Sequence, residues 1–378
     1  MISFAQVTTL DAWRPRYDGP LDFVFVVHPR NYEDLVRPYP QIRLLPRRLV
    51  QDLSARIAVN VVAGMEAHID GRTVHGELLS VPFVPEDLYA RLPDSRAALF
   101  VVQSYAESRQ VRVMGLGALL PSLARNGALL ADRPSPVGVT TGHAYTALAA
   151  ADFVRQFEQL RGRSDVVAVV GAGGSTGRAT TRCLLRDGRP RRLILVDVPA
   201  RLGVVAKQEY LDPRLHTVTA EWSAIRQAPI VLSVTNAPGA ILRGEDFAPG
   251  CVILDDAQPE NVHLDVLKER PDLTVIKCLA RIPGFTSPFD FGHLGHAPRD
   301  REQEITFPCL AETVMLAAAG HTGHFIVGPP RDEQLDFLEA TAVRYGIGTA
   351  PFLSFPSVGF VDTQRVAQSA HHQGENRK

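Results

Sequence analysis

Lysine is almost missing from this chain: Lys207, Lys268, Lys277 and Lys378 are all it has, and residues 1–206 contain none. Arginine carries the rest of the positive charge. Some dinucleotide-linked dehydrogenases place a catalytic lysine outside the nucleotide-binding domain, and a lysine-free first half disfavours that arrangement. Cysteine is equally sparse. Cys183, Cys251, Cys278 and Cys309 are far apart with no C-x-x-C pair, which argues against a structural zinc and against a disulfide framework. Charge of one sign is absent too: 40 Lys+Arg against 41 Asp+Glu give a net charge of -1, so no global field points to nucleic acid or to an anionic membrane. No apolar run reaches the ~20 residues of a membrane span. The start, MISFAQVTTLDAWRPRY, has neither the charged onset nor the apolar stretch of a signal peptide, so the expectation is a cytoplasmic protein.

What the chain does have is a glycine turn in a strong context. VVAVVGAGGSTG, residues 166–177, is a run of small apolar residues that suits a parallel strand buried on both faces, followed by glycines that suit a turn into a helix starting near Ser175. Gly171 allows the tight turn, Gly173 lets a pyrophosphate approach the backbone, and Gly177 lets the helix pack on the strand. Gly174, Ser175 and Thr176 bring backbone N–H groups and the positive helix end to the same anion. A second apolar strand, LILVD, ends on Asp197, 20 residues after Gly177. An acid there accepts hydrogen bonds from the adenosine ribose and repels a 2′-phosphate. The cofactor expected is therefore NAD(P)H, with NADH favoured by Asp197. Arg201 stands close enough to weaken the preference.

Around this unit the chain reads as α/β: a Rossmann-like doubly wound parallel sheet, a second α/β substrate domain, and C-terminal helices. Apolar runs at 21–27, 57–65, 73–82 and 111–120 are strand candidates before the proline-rich break DRPSPVG at 132–138. Gly115 and Gly117 lack a following acidic strand, so they are expected to shape a pocket and not a second nucleotide site. Thr140, Thr141 or Gly142 can cap a long helix ending near Arg161, which puts Thr141 and His143 at its start, placed to hold a substrate carbonyl or the nicotinamide amide. PIVLSV, 229–234, ends in a small polar turn with Thr235 and Asn236, at the strand end where such sheets hold ligands. The domains expected are 1–138 for substrate and catalysis, 139–304 for the dinucleotide, 305–362 as a helical segment packing back on the first domain, and 363–378 as a disordered tail. Residues 282–303, rich in Gly, Pro and His, read as a lid or pocket wall.

Three thiols sit on apolar patterns: Cys183 on a helix face, Cys251 and Cys278 in strands. Cys309 follows Pro308 in the first turn of a helix, where the dipole and unpaired N–H groups favour a thiolate. Glu312 lies one turn on, and a hydrogen-bonding or proton-transfer role suits it better than pairing with the sulfur. His321 and His324 have no third ligand in range, so no metal site is expected.

The order of VHGELLSVPFVPEDL, GLGALLPSLARNG, TTGHAYTA, VVAVVGAGGSTG, CVILDDAQPENV, PCLAETVMLAAAG and GIGTAPF, across about residues 70–355, resembles the long-chain acyl-acyl-carrier-protein reductases of cyanobacteria. That resemblance implies a two-domain enzyme with a central Rossmann unit. It implies reduction of an acyl thioester, acyl-ACP or acyl-CoA, to an aldehyde through an acyl-enzyme on Cys309, with Glu312 carried over in the C-x-A-E helix start. An acyl carrier protein is an implied partner. The arginines at 186, 189, 191 and 192 read as a solvated turn, with docking of such a carrier as the alternative. Two further readings stay open: an NAD-dependent alcohol or hydroxy-acid dehydrogenase with no covalent step, and a non-catalytic dinucleotide-binding protein.

Overall fold

The computed structural model describes residues 8–9, 19–36, 44–54, 59–162, 164–188, 190–262, 265–287, 304–351 and 353–354. The chain divides into two units. The first is Met1–Tyr145 with Arg281–Asp290 and Pro298–Ile347; the second is Thr146–Ala280 with Phe291–Ala297 and Gly348–Lys378. The change of unit falls at Tyr145 and Thr146, inside a helix and not at the proline-rich break. The proposed lid at 282–303 and the tail at 363–378 lie mostly or wholly outside the described residues.

The first unit is built on a seven-stranded sheet. Its main strands are β1 (Phe23–Val27), β2 (Asn60–Ile69), β3 (Arg72–Ser80), β4 (Val113–Leu116) and β5 (Gly138–Thr140), in the order β2-β3-β1-β4-β5. β2 and β3 form an antiparallel hairpin whose two turn residues, Asp70 and Gly71, both have positive φ, the geometry that matches strand twist. From β3 onward the pairing is parallel. Val24, Val26, Leu79, Met114, Leu116 and Val139 build one core with Leu99 and Val102 of helix α1 (Leu92–Ser108). Helix α2 (His143–Arg161) follows β5.

In the second unit a seven-stranded sheet runs through β6 (Val166–Val170), β7 (Arg192–Val196), β8 (His216–Thr219), β9 (Ile230–Ser233), β10 (Val252–Asp255) and β11 (Thr274–Lys277), closed by antiparallel β12 (Leu353–Ser354). The order is β12-β11-β10-β9-β6-β7-β8. All six strands before β12 are parallel, and the direction of winding reverses between β6 and β9. This is the doubly wound Rossmann arrangement, with its ligand crevice at that reversal, outside the carboxyl ends of the strands. Ala168, Val170, Ile194, Val231 and Ile253 fill a core on one face, while Val167, Val169, Leu195, Leu232 and Leu254 are also buried. Burial on both faces explains the uninterrupted apolar runs. β12 belongs to this sheet, so the segment expected at 305–362 splits: 308–347 stay with the first unit and 348 onward does not.

Helix α3 (Ser175–Leu185) leaves the glycine turn as expected, and α4 (Pro199–Ala206) follows β7. Pro199, at the first helical turn with its φ already set, starts it. In the first unit, helix α5 (Pro308–Ala318) lies across β4, and α6 (Asp332–Tyr345) follows it. A Cβ on Gly115 would stand 2.0 Å from Thr313 Oγ1 and 2.8 Å from Phe25. One on Gly117 would stand 2.7 Å from Phe25. These two glycines let α5 and the Phe25 ring close on the sheet; they do not form a pocket. No helix among the described residues is long and apolar enough to cross a membrane.

Candidate functional site

The glycine turn of the second unit is shaped by close approaches that no other residue permits. Gly171 has φ +86° and lies against Thr235 and the Val234 carbonyl, both at 3.0 Å from where a Cβ would be. A Cβ on Gly177 would fall 2.1 Å from the Gly171 oxygen, and one on Gly173 would fall 2.9 Å from Arg201 Cβ and from Asp197 Oδ2. Gly174 is the N-cap residue of α3 with no side-chain cap, and the N–H groups of Thr176 and Gly177 belong to the first turn, which the helix itself leaves without acceptors. Donors, dipole and a cradle that a Cβ would fill are what a pyrophosphate needs. The turn fits a dinucleotide.

Asp197 stands at the end of β7 as expected, and it also builds the turn. Its Oδ2 accepts the Gly173 N–H at 2.6 Å and its Oδ1 the Val198 N–H at 2.7 Å. The Asp197 side chain is thereby fixed beside the second glycine. Thr235 adjoins Gly171, while Asn236 is exposed.

The sequence reading missed the residues that hold the loop after β10. Asp255, fully buried, accepts the N–H groups of Ala257 (3.0 Å), Asn261 (2.9 Å) and Val262 (3.3 Å). Burial raises its carboxyl above the usual range, against the pull of Lys277. Asn261, fully buried, accepts from Ser233 and Thr235. The run CVILDDAQPENV was a signal of something, but pairing across three strands is not written in any local spacing.

In the first unit, α5 begins at Pro308 behind Phe307, with no side-chain cap. Cys309 is half-buried, whereas Cys183, Cys251 and Cys278 are buried. Burial pushes the Cys251 thiol up to about 12 and the Cys278 thiol well above its ordinary value, so neither is a nucleophile. Gly142, at φ +75°, lies directly on Cys309: a Cβ there would sit 2.2 Å from Cys309 Cβ and 2.7 Å from its Cα.

Glu312 is fully buried and fastens that turn. Its Oε1 accepts from the Thr140 hydroxyl and from Gly142 N–H at 3.1 Å; its Oε2 accepts from Ala144 N–H at 3.1 Å and Tyr145 N–H at 2.9 Å. A carboxylate offers about four acceptor positions, and here all are used. Glu312 therefore serves the start of α2, the capping role expected of Thr140, Thr141 or Gly142, and its contacts leave no place for proton transfer to the sulfur. Burial raises its carboxyl above the usual range, with the four hydrogen bonds opposing. His143 is buried and its imidazole is lowered to about 4 by desolvation, so it is neutral at physiological pH. Thr141 Oγ1, His143 Nδ1 and Thr306 Oγ1 are buried with no partner among the described residues.

Other candidates resolve into structure. His324 Nδ1 accepts the Val139 N–H at 3.2 Å, and His321 packs edge-on against Phe325. No group of metal-ligating side chains occurs among the described residues. Arg191 is buried and paired with Glu158 and Asp187, so it is not a docking cation; residue 189 lies outside the described residues.

No family model matches the chain. Aminotransferase PigE of Serratia sp. (strain ATCC 39006) is 26% identical over 382 residues, covering 92% of this chain. The chain spans 41% of the length of that relative. Among solved structures, L-tryptophan dehydrogenase from Nostoc punctiforme aligns with 100% of this chain and 90% of its own at 14% identity and a TM-score of 0.36. NAD-dependent malic enzyme from Thermotoga maritima aligns with 87% of this chain and 84% of its own at 14% identity and 0.37. The iminosuccinate reductase of Paracoccus denitrificans, in complex with NAD+, aligns with 56% of this chain and 67% of its own at 16% identity and 0.31. The curated relative that the chain matches is named for an aminotransferase and not for an acyl-acyl-carrier-protein reductase, so the family expected from the motifs is not the one found. Its motifs were glycine turns and helix starts, which report how strands join helices more than which substrate is held.

Proposed function

We propose that the chain is a nicotinamide-dinucleotide-dependent oxidoreductase interconverting a carbonyl compound and its alcohol without a covalent intermediate, NADH being preferred. The observation that carries this reading is the Gly171–Gly177 turn with Asp197 bound to its second glycine. When bound, the dinucleotide supplies or accepts the hydride. In the first unit, the neutral His143 imidazole and the Thr141 hydroxyl are the groups suited to polarise a substrate oxygen. Glu312 orients them by fixing the turn they stand on. Transamination, the activity in the relative's name, is not the chemistry these residues favour. A pyridoxal cofactor needs a lysine amine, and the one buried lysine among the described residues, Lys277, donates to the Ala257 carbonyl.

A second reading is favoured by one observation, the half-buried thiol of Cys309 at a helix start and pressed against Gly142. In it the Cys309 thiolate attacks the carbonyl of an acyl thioester, the carrier leaves as its thiol, and the acyl group rests on the enzyme sulfur for reduction to an aldehyde. One experiment separates the two. The full chain is incubated with NADH deuterated at the transferable position and with aldehydes, 2-oxo acids or acyl thioesters in turn, and both product and protein mass are read. Label in an alcohol with unmodified protein supports the first reading. An acyl adduct on the native chain that Cys309→Ala lacks supports the second. No labelled product from any of the three classes contradicts both.

A further inference from the structure

The carboxyl edge of the second sheet carries a polar row that the reading above does not use. Ser233, Asp255 and Lys277 are register partners on β9, β10 and β11, so their side chains leave the same face. All three reach the loop 256–262. Asp255 takes three of its N–H groups, Lys277 donates to the Ala257 carbonyl, and Ser233 donates to Asn261 Oδ1 at 2.9 Å. The loop is thereby pinned by the ends of three strands.

Asn261 is where these contacts converge. Its Oδ1 also accepts the Thr235 hydroxyl at 2.5 Å, and that hydroxyl accepts the Ala237 N–H at 3.1 Å, which leaves its proton for Asn261 and sets the amide orientation. The other end of the amide, Nδ2, is shielded from bulk solvent and has no partner among the described residues. A buried donor left unpaired is costly, and folded proteins seldom keep one without a use. Its place suggests the use. Thr235 lies on Gly171, the hinge of the turn. From there the sheet runs one way to β7 and Asp197 and the other way to β9, β10 and Asn261. A dinucleotide with its adenosine ribose at Asp197 extends its second half toward Asn261.

We propose that the Asn261 amide donates a hydrogen bond to an oxygen on the nicotinamide-ribose half of the dinucleotide. The inference rests on the nucleotide reading given under Proposed function. It is tested by equilibrium titration of the full chain with NADH, ADP-ribose and ADP. Asn261→Asp keeps acceptors for Ser233 and Thr235 and removes the donor, and Asn261→Ala serves if the aspartate variant does not fold. The expected result is about a tenfold loss of NADH affinity in the variant, with ADP binding unchanged as proof of an intact fold. ADP-ribose that weakens alongside NADH assigns the acceptor to the ribose; ADP-ribose that does not assigns it to the carboxamide. NADH affinity equal to that of the native chain, or an equal loss for all three ligands, overturns the inference. A native chain that binds none of them removes the nucleotide reading and the inference together.

Discussion

The glycine turn of the second unit and the thiol site of the first are both helix starts, yet they are made differently. The turn is made of backbone: three glycines, each required by a neighbour within 3.0 Å, so the chain has no other shape there. The thiol site is held by one buried side chain acting over a great separation, Glu312 lying about 170 residues along the chain from the turn it holds. A site built from backbone fails when one atom is added. A site built from a buried carboxylate fails when one is taken away.

Removing the carboxylate is the harsher change. Glu312→Ala leaves four donors facing a buried void and is expected to cost about 3 kcal/mol or more, read as a lower urea midpoint. Loss within about 0.5 kcal/mol would mean that the turn finds other acceptors and that Glu312 does not hold it. Adding an atom comes next. Gly177→Ala sets a Cβ 2.1 Å from the Gly171 carbonyl oxygen, which cannot move without opening the turn, and an expected cost of about 2–3 kcal/mol comes with loss of NADH binding. Gly188→Ala is the control. Its φ is +67° but nothing lies within 4 Å, so only the strained backbone counts, about 1 kcal/mol. Equal costs at the two glycines would break the claim that contact, more than conformation, makes the turn.

A further expected effect concerns pH. Burial holds His143 and His28 to about 4, against an ordinary value of 6.5, and both belong to the first unit. Between those values the unfolded chain binds more protons than the folded one, so their contribution is present above 6.5 and is lost as pH falls toward 4. Each histidine is expected to account for about 1–3 kcal/mol of that loss. His143→Gln should flatten part of the acid slope of stability between about pH 7 and pH 5. Glu312, raised by burial and so of opposite sign, is common to both chains and cancels. An unchanged slope would mean that His143 is not held neutral.

The same contrast explains what could be read from residues alone. The strand, the glycines, the helix at Ser175 and the acid at Asp197 all lie within a few dozen residues and follow local rules, so the Rossmann unit was legible. Cys309 at a helix start was legible for the same reason. That Glu312 caps α2 was not, because a C-x-x-E spacing suggests neighbours on one helix and says nothing of a turn fixed from elsewhere. Gly115 and Gly117 misled in the other direction: a Gly-x-Gly after a strand looks like a ligand turn, and only the packed helix shows that Thr313 and Phe25 need the space. Asn261 and its neighbours escaped because register across β9, β10 and β11 brings them together.

Hydrogen–deuterium exchange of the full chain with and without saturating NADH tests the central claim most directly. The account predicts slowed exchange in peptides covering 170–177, 197–201 and 233–262, with a smaller effect from NADPH. No NADH-dependent protection in the glycine turn, or protection confined to other peptides, would contradict it.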